Sequence, residues 1–182
     1  MELTVLERTV PTALVLVFLL VTQLFSAGQG TNSEEALLTA SVAPDRRDYA
    51  LDDDISLSVR LTNVSKSKVT VFGRILWGYA GGMVLHVYDA SNKEVPAKTL
   101  DDDMLVPSRL RDRNSFLVLN PGQYLGTTRN DRLRDLVQRP AKYWVQVEYL
   151  SPVPAEFGQG PSFYSRGNGP IWSDRAEVLI SK

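Results

Sequence analysis

The chain has 182 residues, 43% hydrophobic and 23% charged, with 20 basic against 21 acidic side chains and no cysteine. This is enough for one domain with its own core, and it lacks the basic surplus on which nucleic-acid binding draws. Without cysteine there are no disulfide staples, no thiol catalysis, no thiolate metal site and no lipid-modified cysteine.

The first element is apolar. Ala13 to Phe25 (ALVLVFLLVTQLF) carries no charge and is followed by Ser26-Ala27-Gly28. A short apolar run with small residues after it reads as a secretory signal, cleaved after Gly28. The competing reading is an uncleaved anchor, although the run falls short of the ~20 apolar residues that a span needs. The region before the run is off-pattern, with Glu2 and Glu7 against Arg8. Loss of residues 1–28 removes one base and two acids from the 20 and 21, leaving 19 of each and no net charge. The expected order is therefore a signal over 1–28, a flexible lead-in over 29–36 and one domain over 37–182, secreted or periplasmic.

From Leu37 onward the pattern is alternation. Ile55, Leu57, Val59 and Leu61 share one face, and Ser56, Ser58, Arg60 and Thr62 the other, which is the period of a half-buried strand. Tyr143 to Tyr149 repeats it. Weaker strands are expected at 38–43, 68–72, 83–89, 115–119 and 176–180. Turn chemistry separates them at Asn63–Ser67, Ala90–Lys93 and Asn120-Pro121-Gly122. About seven short strands punctuated in this way predict an all-β, two-sheet antiparallel sandwich. One helix is expected over Asn130–Arg139, with Asn130 as its N-cap and Leu133, Leu136 and Val137 on its apolar side.

Ala141-Lys142-Tyr143-Trp144-Val145 matches the tyrosine-corner arrangement, in which a Tyr hydroxyl turns back onto the preceding corner while its ring enters the core. The sandwich is then immunoglobulin-like, with Val145 on one sheet and Val59 on the other at the positions antibody domains give to cysteine, and with Trp77 as the candidate core tryptophan. Leu57-Ser-Val59-Arg-Leu61-Thr62-Asn63, Val87-Tyr-Asp89-Ala-Ser-Asn-Lys-Glu-Val95, Leu119-Asn-Pro121-Gly122 and Pro140-Ala-Lys-Tyr143 resemble exported bacterial immunoglobulin-like domains and, distantly, the intracellular proteinase inhibitor type. The resemblance covers about half of the chain after residue 28 and implies a fold. It carries over no reactive loop and no activity.

Few residues point to chemistry. Leu-Asp-Asp-Asp occurs at 51–54 and at 100–103. Calcium needs six to eight oxygens around one point, and consecutive aspartates cannot all aim at one ion, so two solvated turns are expected. His86 is the sole histidine and falls opposite Leu85 and Val87, so an exposed strand position is expected. Arg-Leu-Arg-Asp, at 109–112 and 132–135, reads as local ion pairing.

The unusual stretch is Leu150 to Asp174, rich in proline and glycine and carrying Phe157, Phe163, Tyr164 and Trp172. A long loop before the last strand of a sandwich sits where antibody domains carry recognition residues. The four aromatics are the candidate binding residues, against the alternative that they fold down over the open end of the sandwich. The expected function is a non-catalytic binding module for an envelope protein, with carbohydrate second. Nothing in the sequence asks for a cofactor or a metal. The alternatives are a secreted protease inhibitor presenting the 150–174 loop and a hydrolase using paired carboxylates.

Overall fold

The computed structural model describes residues 36–78, 82–96, 113–157 and 162–182, and of Arg113 and Phe157 the backbone alone. The apolar 13–25 run, the second LDDD and the first Arg-Leu-Arg-Asp lie outside the described residues.

Alternation becomes strand wherever one face can be buried. The four inward residues of β3 (Asp54–Asn63), Ile55, Leu57, Val59 and Leu61, are all at most 1% exposed. β3 is the centre of a sheet in which β1 (Leu38–Pro44) pairs with one edge and β8 (Tyr124–Arg132) with the other. A second sheet runs β2 (Asp48–Ala50), β11 (Ala176–Ser181), β9 (Lys142–Leu150), β5 (Gly82–Asp89) and β6 (Glu94–Val95). β10 (Ile171–Trp172) adds to β9, and β4 (Val69–Phe72) pairs with β7 (Phe116–Leu119) in a separate ribbon. All pairings are antiparallel except β2 with β11, which run parallel from Leu179 opposite Asp48 to Ser181 opposite Ala50.

This is an all-β sandwich with immunoglobulin-like connectivity. The first strand is split, β1 joining one sheet and β2 the other. β3 and β8 lie in the first sheet, while β5, β9 and β11 lie in the second, so the chain crosses between sheets as in a Greek key. Between the sheets lies one apolar core that takes Leu38, Ala40 and Val42 from β1, Leu57 and Val59 from β3, Leu85 and Val87 from β5, Val145 and Val147 from β9 and Val178 from β11. Val59 and Val145, from opposite sheets, are 0% and 3% exposed in that cluster.

The tyrosine corner is present. The Tyr143 hydroxyl donates to the Arg139 carbonyl at 3.0 Å while the ring is buried. Tyr143→Phe removes that bond and keeps the ring. The expected loss is about 1 kcal/mol, or a melting temperature lower by roughly 2–4 °C for a domain of this size. A melt unchanged by the substitution would mean that water at Arg139 replaces the phenol without cost.

The turns form where the sequence placed them. Asn63 closes the first from inside: its Nδ2 donates to the carbonyls of Ser67 and Leu119 and its Oδ1 accepts the Ser65 N–H and hydroxyl. At 89–94 the Asp89 carboxylate takes the Ser91 hydroxyl and the Ser91 and Lys93 N–H groups, and Asn92 adopts φ 66°, a conformation that Asn tolerates better than most residues. These bonds, the Ser91 hydroxyl first, hold the Asp89 carboxyl below its usual range. In Asn120-Pro121-Gly122 the glycine has φ 78° and the Gln123 N–H returns to the Asn120 carbonyl. This is Pro and Gly at the positions a type II turn requires.

Two expectations are corrected. Asn130 does not cap a ten-residue helix; it is a strand residue of β8 opposite Ser56. Helix α1 is a single turn, Leu133–Leu136, entered from extended Arg132 with no side-chain cap, and Val137 is already extended. The spacing of Leu133, Leu136 and Val137 records one turn that plugs the core. Trp77 packs against the core from its margin and is not enclosed in it. It lies before β5, bridges to Met83, is half-buried, and carries the Arg129 guanidinium 4.5 Å over its ring.

Candidate functional site

Of the three candidate binding aromatics whose side chains are described, the structure leaves one facing solvent. Tyr164 is 4% exposed, its ring lies 6.1 Å from that of Tyr149, and its hydroxyl donates to the Gly169 carbonyl at 3.0 Å. Burial pushes its phenol up to about 12. Phe163 is half-buried against Phe116, 5.2 Å between ring centres, at the edge of a small cluster of Phe72, Leu76 and Val153. Phe157 belongs to a one-turn helix at Ala155–Phe157, and its side chain lies outside the described residues. Trp172 is 45% exposed.

The described part of the 150–174 stretch is therefore mostly a cover. Thr70 of β4 exchanges backbone hydrogen bonds with Ser162 and Tyr164, the Ser151 hydroxyl donates to the Tyr164 carbonyl, and the Arg166 N–H donates to Val153. The alternative of rings folding down over the open end holds for Phe163 and Tyr164.

Trp172 owes its position to a bulge. Trp172 lies opposite Glu148 and Ala176 opposite Val145. Three residues (Ser173, Asp174, Arg175) thus face two (Gln146, Val147). The extra residue reverses the parity of the strand, so Trp172, Arg175 and Glu177 all reach the face away from the core, which is how a bulge re-aims side chains. The interrupted ladder is repaired by Ser173. Its N–H donates to the Val147 carbonyl, its Oγ accepts the Val147 N–H at 3.0 Å, and its carbonyl takes the Gln146 amide at 2.7 Å.

On that face the Trp172 ring packs against His86 at 4.9 Å between centres. His86 points away from the core as alternation predicted, but the expectation of exposure is wrong: it is 6% exposed. Its Nδ1 lies 2.7 Å from Glu94 Oε1 and its Nε2 3.3 Å from Glu148 Oε2, so both ring nitrogens are engaged by carboxylates beneath the indole. Tyr88 lies alongside His86, and the Arg175 guanidinium sits 3.7 Å over the Tyr88 ring while its Nε donates to Gln146 and its Nη1 to Asn92. At the far end Lys142 lies over Trp144, 4.9 Å away, and pairs with Glu177. Lys142 first and then Arg47 hold the Glu177 carboxyl below its usual range.

The result is a flat polar-aromatic surface whose groups are fixed by one another. Sequence reasoning found Trp172 through its loop. It missed His86 as a covered group, and with it Glu94, Glu148, Tyr88, Gln146 and Arg175. The outward sets of the weaker 83–89 strand, His86 and Tyr88, and of the strong 143–149 strand, Trp144, Gln146 and Glu148, were the available signal.

The remaining candidates that lie within the described residues resolve as structure. In the first LDDD, Asp53 accepts the Ala50 N–H at 2.9 Å and pairs with Arg46 at 2.6 Å, while Asp52 pairs with Arg134. Asp54 opens β3 opposite Arg132. The Asp52 and Asp53 carboxylates diverge onto separate partners, as the turn reading requires. The second Arg-Leu-Arg-Asp does not pair locally as expected: Arg134 reaches Asp52 in the β2–β3 turn, and Asp131 is taken by Arg129.

No protein-family model and no curated protein matches the chain. Among solved structures it is similar to the sporulation control protein Spo0M from Bacillus subtilis, at 9% identity and a TM-score of 0.44, over 81% of this chain and 50% of that one. It is similar to a CARDB domain from Pyrococcus furiosus, in complex with di-metal ions, at 12% identity and 0.36, over 79% and 87%. A β-glucosidase from Erythrobacter marinus is similar at 11% identity and 0.39, over 79% of this chain and 15% of the enzyme. The chain thus spans half or less of two of these proteins. At TM-scores below 0.5 the likenesses say nothing of what it binds or does.

Proposed function

We propose that this domain is an exported, non-catalytic binding module whose contact surface is the outer face of the β5–β9–β10 sheet, centred on Trp172. The observation that carries the reading is a tryptophan left 45% exposed on a strand, braced from below by a histidine that two carboxylates hold in place. A large ring presented without rotational freedom loses little entropy on contact, and tryptophan is the residue most enriched among energetic anchors of interfaces. Gln146, Glu148, Glu94 and Arg175 form a polar surround of the kind that orients a partner.

The partner we propose is a protein of the cell envelope, with a carbohydrate as the second reading, since a flat indole flanked by carboxylates and an amide also suits a sugar ring. Export rests on the 13–25 run and Ser26-Ala27-Gly28. A catalytic role for His86 has little support, because neither ring nitrogen is open to a substrate. The inhibitor reading is weakened by the described part of the 150–174 stretch, which packs down onto the sandwich.

The test is Trp172→Ala, with a thermal melt and an affinity measurement against whatever the wild-type protein captures from envelope extract. Truncating an interface anchor costs about 2 kcal/mol or more, roughly thirtyfold in affinity. Binding, measured well below the melting transition, should fall by that factor with the cooperative melt retained, though lowered by the packing lost over His86. Undiminished capture by the variant would remove Trp172 from the contact surface.

A further inference from the structure

We infer that β7 is the seam of a homodimer, pairing antiparallel with its own copy about a twofold axis through Leu117. Among the described residues β7 pairs with β4 alone, with Val69 opposite Leu119, Thr70 opposite Val118, Val71 opposite Leu117 and Phe72 opposite Phe116. The phase of this ladder is set by two observations. Thr70 spends its N–H and C=O on the far side of β4, donating to the Ser162 carbonyl and accepting the Tyr164 N–H, so it exchanges nothing with Val118. Gly73 donates to the Ser115 carbonyl at 2.7 Å, so the Phe72–Phe116 pair between them is again a non-exchanging one. The N–H and C=O of both Phe116 and Val118 therefore point out of the free edge, and they meet no partner among the described residues.

The chemistry of the strand is also that of an interface. Phe116-Leu117-Val118-Leu119 is wholly apolar, and Leu117 and Val118 are 42% and 50% exposed. Free edges are ordinarily guarded by charge, proline or a bulge. The two edges of the β1–β3–β8 sheet follow that rule, β8 with Asp131 and Arg132 and β1 with Pro44. β7 has no such guard.

The register identifies a second copy as the occupant. Turned about Leu117, Phe116 falls opposite the copy's Val118 and Val118 opposite the copy's Phe116. These are the residues with outward-pointing groups, so four hydrogen bonds close at once and no outward group of the strand is left over. Leu117 meets Leu117 in the close, non-exchanging pair, where Cα atoms stand about 4.5 Å apart. Within the strand the register sets no like charges against each other. A twofold axis closes the assembly at two chains. A second copy presents the same apolar edge in the same phase, so the pairing lays the exposed Leu117 and Val118 of each chain against apolar side chains of the other.

The absence of cysteine makes the inference testable. Leu117→Cys in the full chain puts the sole thiol on the axis, at a Cα separation within the roughly 4.4–6.8 Å a disulfide accepts. Mild oxidation read on a non-reducing gel should give a predominant covalent dimer. Asn120→Cys, equally accessible, lies six register steps from its copy, about 20 Å, and should cross-link at least tenfold less. Val118→Pro in the Leu117→Cys background deletes an outward N–H that the β4 ladder does not use, and should lower cross-linking by the same factor with the thermal melt retained. Should that proline unfold the domain, Leu117→Lys serves instead: wild-type protein should sediment as a dimer and this variant as a monomer. Cross-linking at Leu117→Cys no greater than at Asn120→Cys overturns the inference, as does a mixed disulfide with a different protein as the main product.

Discussion

Val145→Asp is expected to leave no folded domain at room temperature. Val145 is 3% exposed at the middle of β9, between Val87 and Ala176 in register and in one cluster with Val59 of the other sheet. The cluster that encloses Val145 is hydrophobic, and burying an unpaired charge costs several kcal/mol against a total stability of about 5–15. Circular dichroism should show the cooperative melt gone or displaced below 25 °C. Ser58→Asp puts the same charge on the solvent face of β3, one residue from buried Val59, and should stay within about 0.5 kcal/mol of wild type. A wild-type melt for Val145→Asp would mean that the register of β9 is wrong.

The second large effect belongs to a pair on the inward face of β8. Arg129 and Asp131 have side chains 4% and 8% exposed, and they meet through two hydrogen bonds, Nε to Oδ2 at 2.5 Å and Nη2 to Oδ1 at 3.0 Å, beneath the Trp77 ring. Asp131→Ala abandons a guanidinium in a place water hardly reaches, and breaking such a pair costs about 3–5 kcal/mol. The melting temperature should fall by roughly 6–20 °C. Replacing both partners, Arg129→Met with Asp131→Leu, should restore most of the loss, because two apolar side chains leave no charge to desolvate. If the single variant melts within about two degrees of wild type, solvent reaches the guanidinium and the pair is a surface one.

What could be read from the sequence was whatever expresses itself within one element. β1, β3, β9 and β11 alternate because each lays one face on the core, and the tyrosine corner is contained within five residues. β8 was hidden for the opposite reason. Its nine residues bury Arg129 alone, so Tyr-Leu-Gly-Thr-Thr-Arg-Asn-Asp-Arg shows no apolar period, and the turn of helix after it supplied a misleading helical spacing. β6 and β10 have two residues each, too few for any period. The surface around Trp172 was legible residue by residue but not as a group. Alternation told which way His86 points, but what covers it comes from the register of β5 on β9, the hairpin that returns Glu94, and one extra residue at Ser173–Arg175. None of these leaves a local mark in composition.

The parallel pairing of β2 with β11 has a mechanical consequence. The two strands run in the same direction, so tension applied from the N-terminal side of β2 and the C-terminal side of β11 drags them past each other lengthwise. The bonds along 48–50 and 179–181, with the Leu179 N–H on the Arg47 carbonyl and the Ser181 hydroxyl on the Tyr49 carbonyl, are then loaded together, not opened one after another like a zip. A domain built this way resists stretching between its ends far more than its modest count of such bonds suggests, and it yields readily to a force that lifts either strand sideways.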